Sequence, residues 1–167
     1  FEIEDALDAA LDIPVFHDDQ WGTAVIALSG VMNYAELAGK KISDLKIVMN
    51  GAGAAGIRIC EMCKAAGAQN VIMCDTKGTL RKDRTDLNAY KAKHAVETDK
   101  LTLKEALVGA DVFIGVSAAN VLSGDDVKTM SEFPAIFAMA NPDPEIAPAE
   151  AAKALEGRRF IMVTGRS

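Results

Sequence analysis

The chain has 167 residues, of which half are apolar and a quarter are charged, a balance typical of globular proteins. That length suits one domain with a full core. The net charge of −6 argues against nucleic acid or an anionic membrane surface as a partner. No apolar run approaches the roughly 18 residues that a membrane span requires.

The first 38 residues are predicted to form a helical lead-in. Residues 1–12 have the pattern of the last turns of a helix, which ends on the approach to Pro14. A second helix is predicted from Gly22 to Gly39 and is apolar on nearly every side, so we expect it to be buried. Asp18, Asp19 and Thr23 at its start could cap this helix and complement its dipole.

Five short apolar runs follow and are predicted to be strands, with helix-like stretches between them. The runs begin at Leu45, Val71, Asp111, Ala135 and Phe160. The helical stretches are 54–67, 87–97, 103–107, 123–130 and 148–155. Strands in which apolar and polar residues do not alternate, and which are separated by helices, indicate a parallel sheet covered on both faces. We therefore predict a doubly wound, Rossmann-type α/β domain over residues 39–167.

A glycine motif lies between the first predicted strand and the helix after it. Gly51, Gly53 and Gly56 form a Gly-x-Gly-x-x-Gly sequence, and Asp75 ends the second strand 19 positions after Gly56. The glycines permit a tight turn, the approach of a pyrophosphate and close helix packing, and the helix N-terminus attracts phosphate. This arrangement predicts an NAD(P)-binding unit. The alternative is a strand-to-helix turn without a ligand.

Ligands of such sheets bind beyond the carboxyl ends of the strands, which makes the following loops candidate site walls. These loops are polar and contain glycine or proline; they cover 50–56, 75–78, 116–120 and 141–145. Ordinary turn chemistry could explain any one of them taken alone.

The three cysteines include a Cys-x-x-C pair, Cys60 and Cys63, which could indicate a redox pair or half of a zinc site. We expect both to pack against the sheet instead, because they lie on one face of the helix that follows the glycine motif. The third is Cys74. An odd number of cysteines without a disulfide framework favours a reducing, cytoplasmic setting.

Six sequence blocks, taken together, resemble malic enzymes of the bacterial type. They are HDDQWGTA (17–24), VMNGAGAAGI (48–57), CDTKG (74–78), GADVFIGVS (109–117), ANPDPEI (140–146) and VTGRS (163–167). The resemblance covers essentially the whole chain. It implies oxidation of L-malate with hydride transfer to NAD(P)⁺ and decarboxylation to pyruvate, assisted by Mg²⁺ or Mn²⁺ as a Lewis acid.

The resemblance also implies roles for individual residues. Asp19 corresponds to a metal ligand, and Asp18 to a catalytic-site carboxylate beside the family's catalytic lysine. Asn141 corresponds to a contact with substrate or nicotinamide. The implied cofactor contacts are Thr23, Gly51, Ala52, Gly53, Ala54, Ala55, Gly56, Asp75 (on the adenosine ribose) and Ser117.

Some family features are missing or altered. The catalytic lysine and tyrosine are absent, and Glu4-Asp5 lies too close to the HDD block to be assigned as the upstream metal pair. Trp21 stands where a small polar residue or histidine is more usual. We give His17 a packing role behind the site and expect His94 on an exposed helix. The chain starts without methionine and stops after a strand-like run, so we expect a piece of a longer enzyme.

Cofactor choice rests on the surroundings of Asp75, which would favour the free 2′-hydroxyl of NAD⁺. The basic residues Lys77, Arg81, Lys82, Arg84 and Lys91 follow it, and any of them could balance a 2′-phosphate. We lean towards NADP⁺, with NAD⁺ as the alternative.

Other functions are conceivable for this chain. They are a different Rossmann dehydrogenase, a nucleotide-binding module without catalysis, and a dimerisation domain whose apolar segment 24–37 faces a partner. The resemblance favours an enzyme with a small-molecule substrate, homo-oligomeric at full length, with neither nucleic acid nor membrane as partner.

Overall fold

A six-stranded, mostly parallel sheet forms the centre of the computed structural model, which describes residues 1–165. The strands are β1 (Lys46–Asn50), β2 (Asn70–Asp75), β3 (Gly78–Thr79), β4 (Val112–Gly115), β5 (Ala135–Ala138) and β6 (Ile161–Thr164), in the order β3-β2-β1-β4-β5-β6. The five predicted strands are confirmed. The short β3 was not predicted; it pairs antiparallel with β2 and is too short to show a periodic pattern. Arg166 and Ser167 of the VTGRS block lie outside the described residues.

The helices lie where the sequence predicts them, with one substantial exception. They are α1 (Glu2–Ala10), α2 (Asp18–Ala38), a 3₁₀ turn (Ile42–Asp44), α3 (Ala54–Ala65), α4 (Ala89–Ala92), α5 (Leu103–Leu107), α6 (Gly124–Lys128) and α7 (Pro148–Ala154). The helix predicted over 87–97 is wrong beyond Ala92. There the chain turns back, and the Val96 N–H donates to the Leu80 carbonyl oxygen at 2.9 Å instead of continuing a helix.

Apolar layers cover both faces of the sheet, which confirms the doubly wound prediction. On one face, α2 and α3 bury residues such as Val31 and Ile59 against the strands. On the other face, α5, α6 and α7 bury Leu107, Val127 and Ala151. Because α2 shares its core with the sheet, the lead-in and the sheet are packed together; the domain boundary at residue 38 stays a prediction.

Helix α2 differs from its prediction in two respects. It begins at Asp18, and its N-cap is His17, whose side chain makes no capping hydrogen bond, so the two aspartates occupy the first turn rather than the cap. The expectation of complete burial is also wrong. Ile26 is 68% exposed and Met32 is 55% exposed, because only the opposite side of the helix packs on α3 and the sheet.

Three buried side chains, Cys60, Cys63 and His94, lie on the same side of the sheet. Cys60 and Cys63 are free and fully buried, and burial raises their pKa to about 11 and about 12, so the packing interpretation is confirmed. The exposed position predicted for His94 is wrong. It is 6% exposed, and its Nδ1 lies 3.6 Å from Cys60 Sγ, because the chain after α4 folds back onto α3.

None of the helices in the described part of the chain combines the length and the hydropathy that crossing a membrane requires.

Candidate functional site

The strand order reverses between β1 and β4. The chain adds β2 and β3 on one side of β1, and then returns to place β4 on the other side. Beyond the carboxyl ends of β1 and β4, the Val116 N–H donates to the Asn50 carbonyl oxygen at 2.9 Å. The Asn50 amide nitrogen donates to Ser117 Oγ at 2.7 Å. Ligands of open α/β sheets bind at such a switch point. Ser117 is therefore held beside the start of the glycine loop.

The three motif glycines differ in the space that surrounds their Cα atoms. Gly51 has a φ of +120°, and a Cβ there would lie 2.8 Å from the Val116 carbonyl oxygen. A Cβ on Gly56 would collide with the Gly51 carbonyl oxygen, whereas a Cβ on Gly53 would meet nothing within 4 Å. Gly51 and Gly56 thus allow the turn and the close helix approach, and Gly53 leaves open space in front of the first turn of α3.

Two clefts flank this loop. The first, of about 870 Å³, is lined by Asn50, Gly51, Ala52, Gly53, Asp75 and Ser117 among others. The second, of about 840 Å³, is lined by Asp18, Asp19, Thr23, Ala55, Ser117 and Asn141 among others. Both clefts include Val116 and Ser117, so they meet there. Ala54 and Gly56 belong to the first turn of α3 and are sequence neighbours of Ala55, which lines the second cleft. The fold thus brings all the residues singled out from the sequence to one edge of the sheet.

Asp75 is tightly paired in the first cleft. Arg84 donates to both of its carboxylate oxygens at 2.9 and 3.2 Å, and Lys91 Nζ donates at 2.9 Å. The Lys77 N–H adds a further bond at 3.0 Å. Burial by itself would raise the pKa of Asp75, but the hydrogen bonds from Arg84 and Lys91 outweigh it and lower the pKa to about 2.

The basic residues near Asp75 have carboxylate partners. Arg84 also binds Asp86, which pairs with Lys77 at 2.8 Å. Two further pairs lie outside this network: Arg81 with Asp83 and Lys82 with Glu97. Three cations (Lys77, Arg84, Lys91) against two carboxylates (Asp75, Asp86) leave the network at the cleft with one excess positive charge.

The two aspartates of the HDD block lie in the second cleft and differ in their surroundings. The Asp18 side chain lies against Gly22, where a Cβ would collide with its carboxylate. The Asp19 side chain is 90% exposed, 3.8 Å from Nε2 of His17. Residues 1–165 contain no cluster of three or more His, Cys, Asp or Glu side chains suited to a metal ion.

Helix α1 is joined to α2 through Glu4. Its carboxylate accepts hydrogen bonds from Gln20 Nε2 at 2.6 Å and Trp21 Nε1 at 2.8 Å. The Arg58 guanidinium lies 3.9 Å from the centre of the Trp21 ring. His17 Nδ1 is 2.6 Å from Gln20 Nε2, and the His17 side chain is 45% exposed, so its packing role stays a prediction. Trp21 is therefore accommodated between Glu4 and Arg58.

Sequence reasoning missed Glu145. It is completely buried, and its two oxygens accept hydrogen bonds from the N–H of Ser117 at 3.1 Å and of Ala140 at 3.0 Å. Burial raises the pKa of this carboxyl group. The available signal was an acidic residue directly before an apolar one in a loop already assigned to the site wall.

A doubly wound sheet with a glycine loop and an acidic strand end at its switch point defines a Rossmann-type nucleotide-binding domain. A family model described as malic enzyme, NAD binding domain matches residues 21–166, and the chain belongs to this family.

Individual relatives agree with the family assignment. An NADP-dependent malic enzyme of Rhizobium meliloti (strain 1021) is 54% identical over the whole chain, which covers 22% of that protein. An NAD-dependent malic enzyme of Geobacillus stearothermophilus is 47% identical, again over the whole chain and 35% of the relative. The solved NAD-dependent malic enzyme of Thermotoga maritima matches with a TM-score of 0.91 and 44% identity, over 100% of this chain and 45% of that one. The chain thus spans less than half the length of each of these relatives. The resemblance to malic enzymes is confirmed.

Proposed function

We propose that this chain is the cofactor-binding part of a metal-dependent malic enzyme, which converts L-malate to pyruvate and CO₂ with hydride transfer to NAD(P)⁺. The observation that carries the proposal is the meeting of the two clefts at Ser117. A dinucleotide extending from Asp75 past the glycine loop would bring its reactive ring to the cleft that contains Asp18, Asp19 and Asn141.

The residues of the glycine loop fit a dinucleotide. The open space beside Gly53 leaves room for a pyrophosphate, and the first-turn N–H groups of α3 can donate to it. Ala52, Ala54 and Ala55 present only small side chains near the loop. Thr23 and Ser117 would then position the nicotinamide end, which would supply the hydride acceptor when the cofactor is bound.

We propose NADP⁺ as the preferred cofactor. The carboxylate of Asp75 is neutralised by Arg84 and Lys91, so it would not repel a 2′-phosphate as an unpaired carboxylate would. The excess positive charge of the network supports the same choice. The relatives include both NADP-dependent and NAD-dependent malic enzymes.

Cofactor preference can be tested by calorimetric titration of the full-length protein with each dinucleotide. Lys91→Gln should weaken NADP⁺ binding by about tenfold and leave NAD⁺ binding nearly unchanged. Lys82→Gln is the matched control, because Lys82 pairs with Glu97 outside the network at the cleft. Equal or tighter binding of NAD⁺ by the unmodified protein would contradict the NADP⁺ proposal.

The second cleft would hold the metal and the substrate. The exposed Asp19 carboxylate offers the oxygen donors that Mg²⁺ and Mn²⁺ prefer. The ion, when bound, would supply Lewis-acid polarisation of the substrate oxygen. Further ligands would come from substrate, water or residues outside this chain. Asp18 would orient a general base supplied from elsewhere, and Asn141 would donate to substrate or nicotinamide.

The activity is tested by assaying malate-dependent NADPH formation by the full-length protein with and without Mn²⁺. Asp19→Asn should abolish the activation by Mn²⁺, whereas Asp12→Asn, which alters an exposed carboxylate before the HDD block, should not. Cofactor binding without malate turnover under any metal condition would favour the alternative, a nucleotide-binding module.

A cytoplasmic, homo-oligomeric enzyme completes the proposal. The free thiols support a reducing compartment, and the exposed apolar residues Met32 and Leu37 of α2, which lie outside both clefts, support a protein partner surface. Sedimentation of the full-length protein would test the oligomeric state, and a monomer at working concentration would contradict it.

A further inference from the structure

Glu145 occupies the gap where strands β4 and β5 separate. Their ladder ends with Gly115 opposite Ala138, and the Met139 N–H still donates to the Gly115 carbonyl oxygen at 3.0 Å. Beyond this point the Glu145 carboxylate, and not direct backbone hydrogen bonds, connects the loops that follow the two strands. One oxygen accepts from the Ser117 N–H and the other from the Ala140 N–H, so the two loops are joined through a single side chain.

The surroundings of Glu145 hold it in one position. A Cβ on Gly115 would collide with the Glu145 carboxylate, so glycine is required beneath it. The backbone of Pro144 and Glu145 also binds the loop after β4. The Pro144 carbonyl oxygen accepts from the Asn120 N–H at 3.1 Å, and the Glu145 carbonyl oxygen accepts from the Leu122 N–H at 3.0 Å. A completely buried carboxylate with both oxygens bonded has little freedom to move.

We propose that Glu145 is a positioning residue that fixes the separation between Ser117 and Asn141, and with it the alignment of cofactor and substrate. Ser117 lies on the β4 loop, and Asn141 directly follows Ala140 on the β5 loop, so the carboxylate controls the distance across the second cleft. The proposal rests on the proposed function, which assigns cofactor to the first loop and substrate to the second.

The chemistry of the bridge requires a carboxylate. Its two oxygens both accept, one from each loop, whereas glutamine has the same size but only one acceptor oxygen. The amide NH₂ of glutamine would face a backbone N–H, and one loop would move away.

The experiment compares Glu145→Gln and Gly115→Ala with Glu150→Gln in the full-length protein. Glu150 also accepts a backbone bond, from the Gly124 N–H at 2.7 Å, but at an exposed position of α7 outside both clefts. Calorimetry measures the Kd for NADP⁺ without malate, steady-state kinetics measure kcat and the KM for malate, and hydrogen exchange reports on residues 116–122 and 139–143.

Both Glu145→Gln and Gly115→Ala should raise the Kd for NADP⁺ and the KM for malate, lower kcat by about tenfold, and speed exchange in both loops. Glu150→Gln should do none of this. A folded Glu145→Gln variant with unchanged Kd, KM and exchange overturns the inference, as does a variant altered only in thermal midpoint. If the unmodified protein lacks malate turnover, the proposed function fails, while the exchange data still decide whether Glu145 joins the two loops.

Discussion

Asp75 and Arg84 form a bidentate ion pair at the cofactor cleft, with nitrogen–oxygen distances of 2.9 and 3.2 Å. Their side chains are 9% and 8% exposed. The acidic residue that ends the second strand therefore has a structural partner as well as a proposed ligand. A cofactor that binds in this cleft therefore meets a carboxylate that is already neutralised by its neighbours.

Removal of Arg84 should destabilise the fold. Arg84→Gln leaves the buried carboxylate of Asp75 with Lys91 as its remaining cationic side-chain partner, so we expect a loss of about 3 kcal/mol in the free energy of unfolding. Urea denaturation measures it. Arg81→Gln is the control, because its partner Asp83 is 70% exposed, and it should cost less than about 1 kcal/mol. Equal losses for the two variants would contradict the structural role of the pair.

His94 should make stability depend on pH. Burial and the neighbouring Lys64 lower its pKa below the ordinary 6.5, against the opposing attraction of Glu61. The unfolded chain therefore takes up a proton first, and the contribution of His94 to stability, fully present above pH 6.5, is lost as pH falls towards its folded-state pKa. His94→Gln should flatten this part of the profile measured by urea unfolding between pH 7.5 and 5 (about neutral to mildly acidic).

Parallel profiles for the unmodified protein and His94→Gln would mean that the imidazole of His94 titrates as it does in water.

Gly53 should tolerate a side chain in the fold but not in the complex with a dinucleotide. Gly53→Val places its side chain in the space in front of α3 without meeting a protein atom at Cβ. We expect an unchanged thermal midpoint and at least about 100-fold weaker NADP⁺ binding in calorimetry. Gly56→Ala is the contrasting variant, because its Cβ would collide with the Gly51 carbonyl oxygen and should lower the thermal midpoint. Normal binding by Gly53→Val would identify the motif as an ordinary turn.

Gly30 in α2 should be intolerant of alanine for a different reason. Its Cβ would collide with the ring of Phe137 on β5. Although alanine favours a helix by about 1 kcal/mol, overpacking costs about 1–3 kcal/mol, so a net loss of stability is expected in urea unfolding. The exposed neighbour Ser29 provides the control, and Ser29→Ala should change stability by less than about 0.5 kcal/mol. A gain of stability in Gly30→Ala would show that the helix can shift away from the sheet.

Local patterns were enough to predict much of the fold and the place of the site. Apolar runs, glycine spacing and helix-starting residues such as Pro148 depend on neighbours within a few positions, so the five longer strands and the turn at Gly51–Gly56 follow from them. The carboxyl ends of parallel strands meet at one edge, which is why the loops holding Asp75, Ser117 and Asn141 could be expected together.

The tertiary structure decided what depends on residues distant in sequence. The burial of His94 and the exposure of one side of α2 depend on which surfaces meet, and hydrophobic pattern alone does not specify the partner surface. The pairing of Asp75 with Arg84 and the bridge made by Glu145 require hydrogen-bond geometry across loops. The sequence by itself determined the nucleotide-binding fold, because its signals are short-range. The charge at the cofactor cleft and the spacing of its loops were decided only when the chain was folded, because both arise from contacts between separate segments.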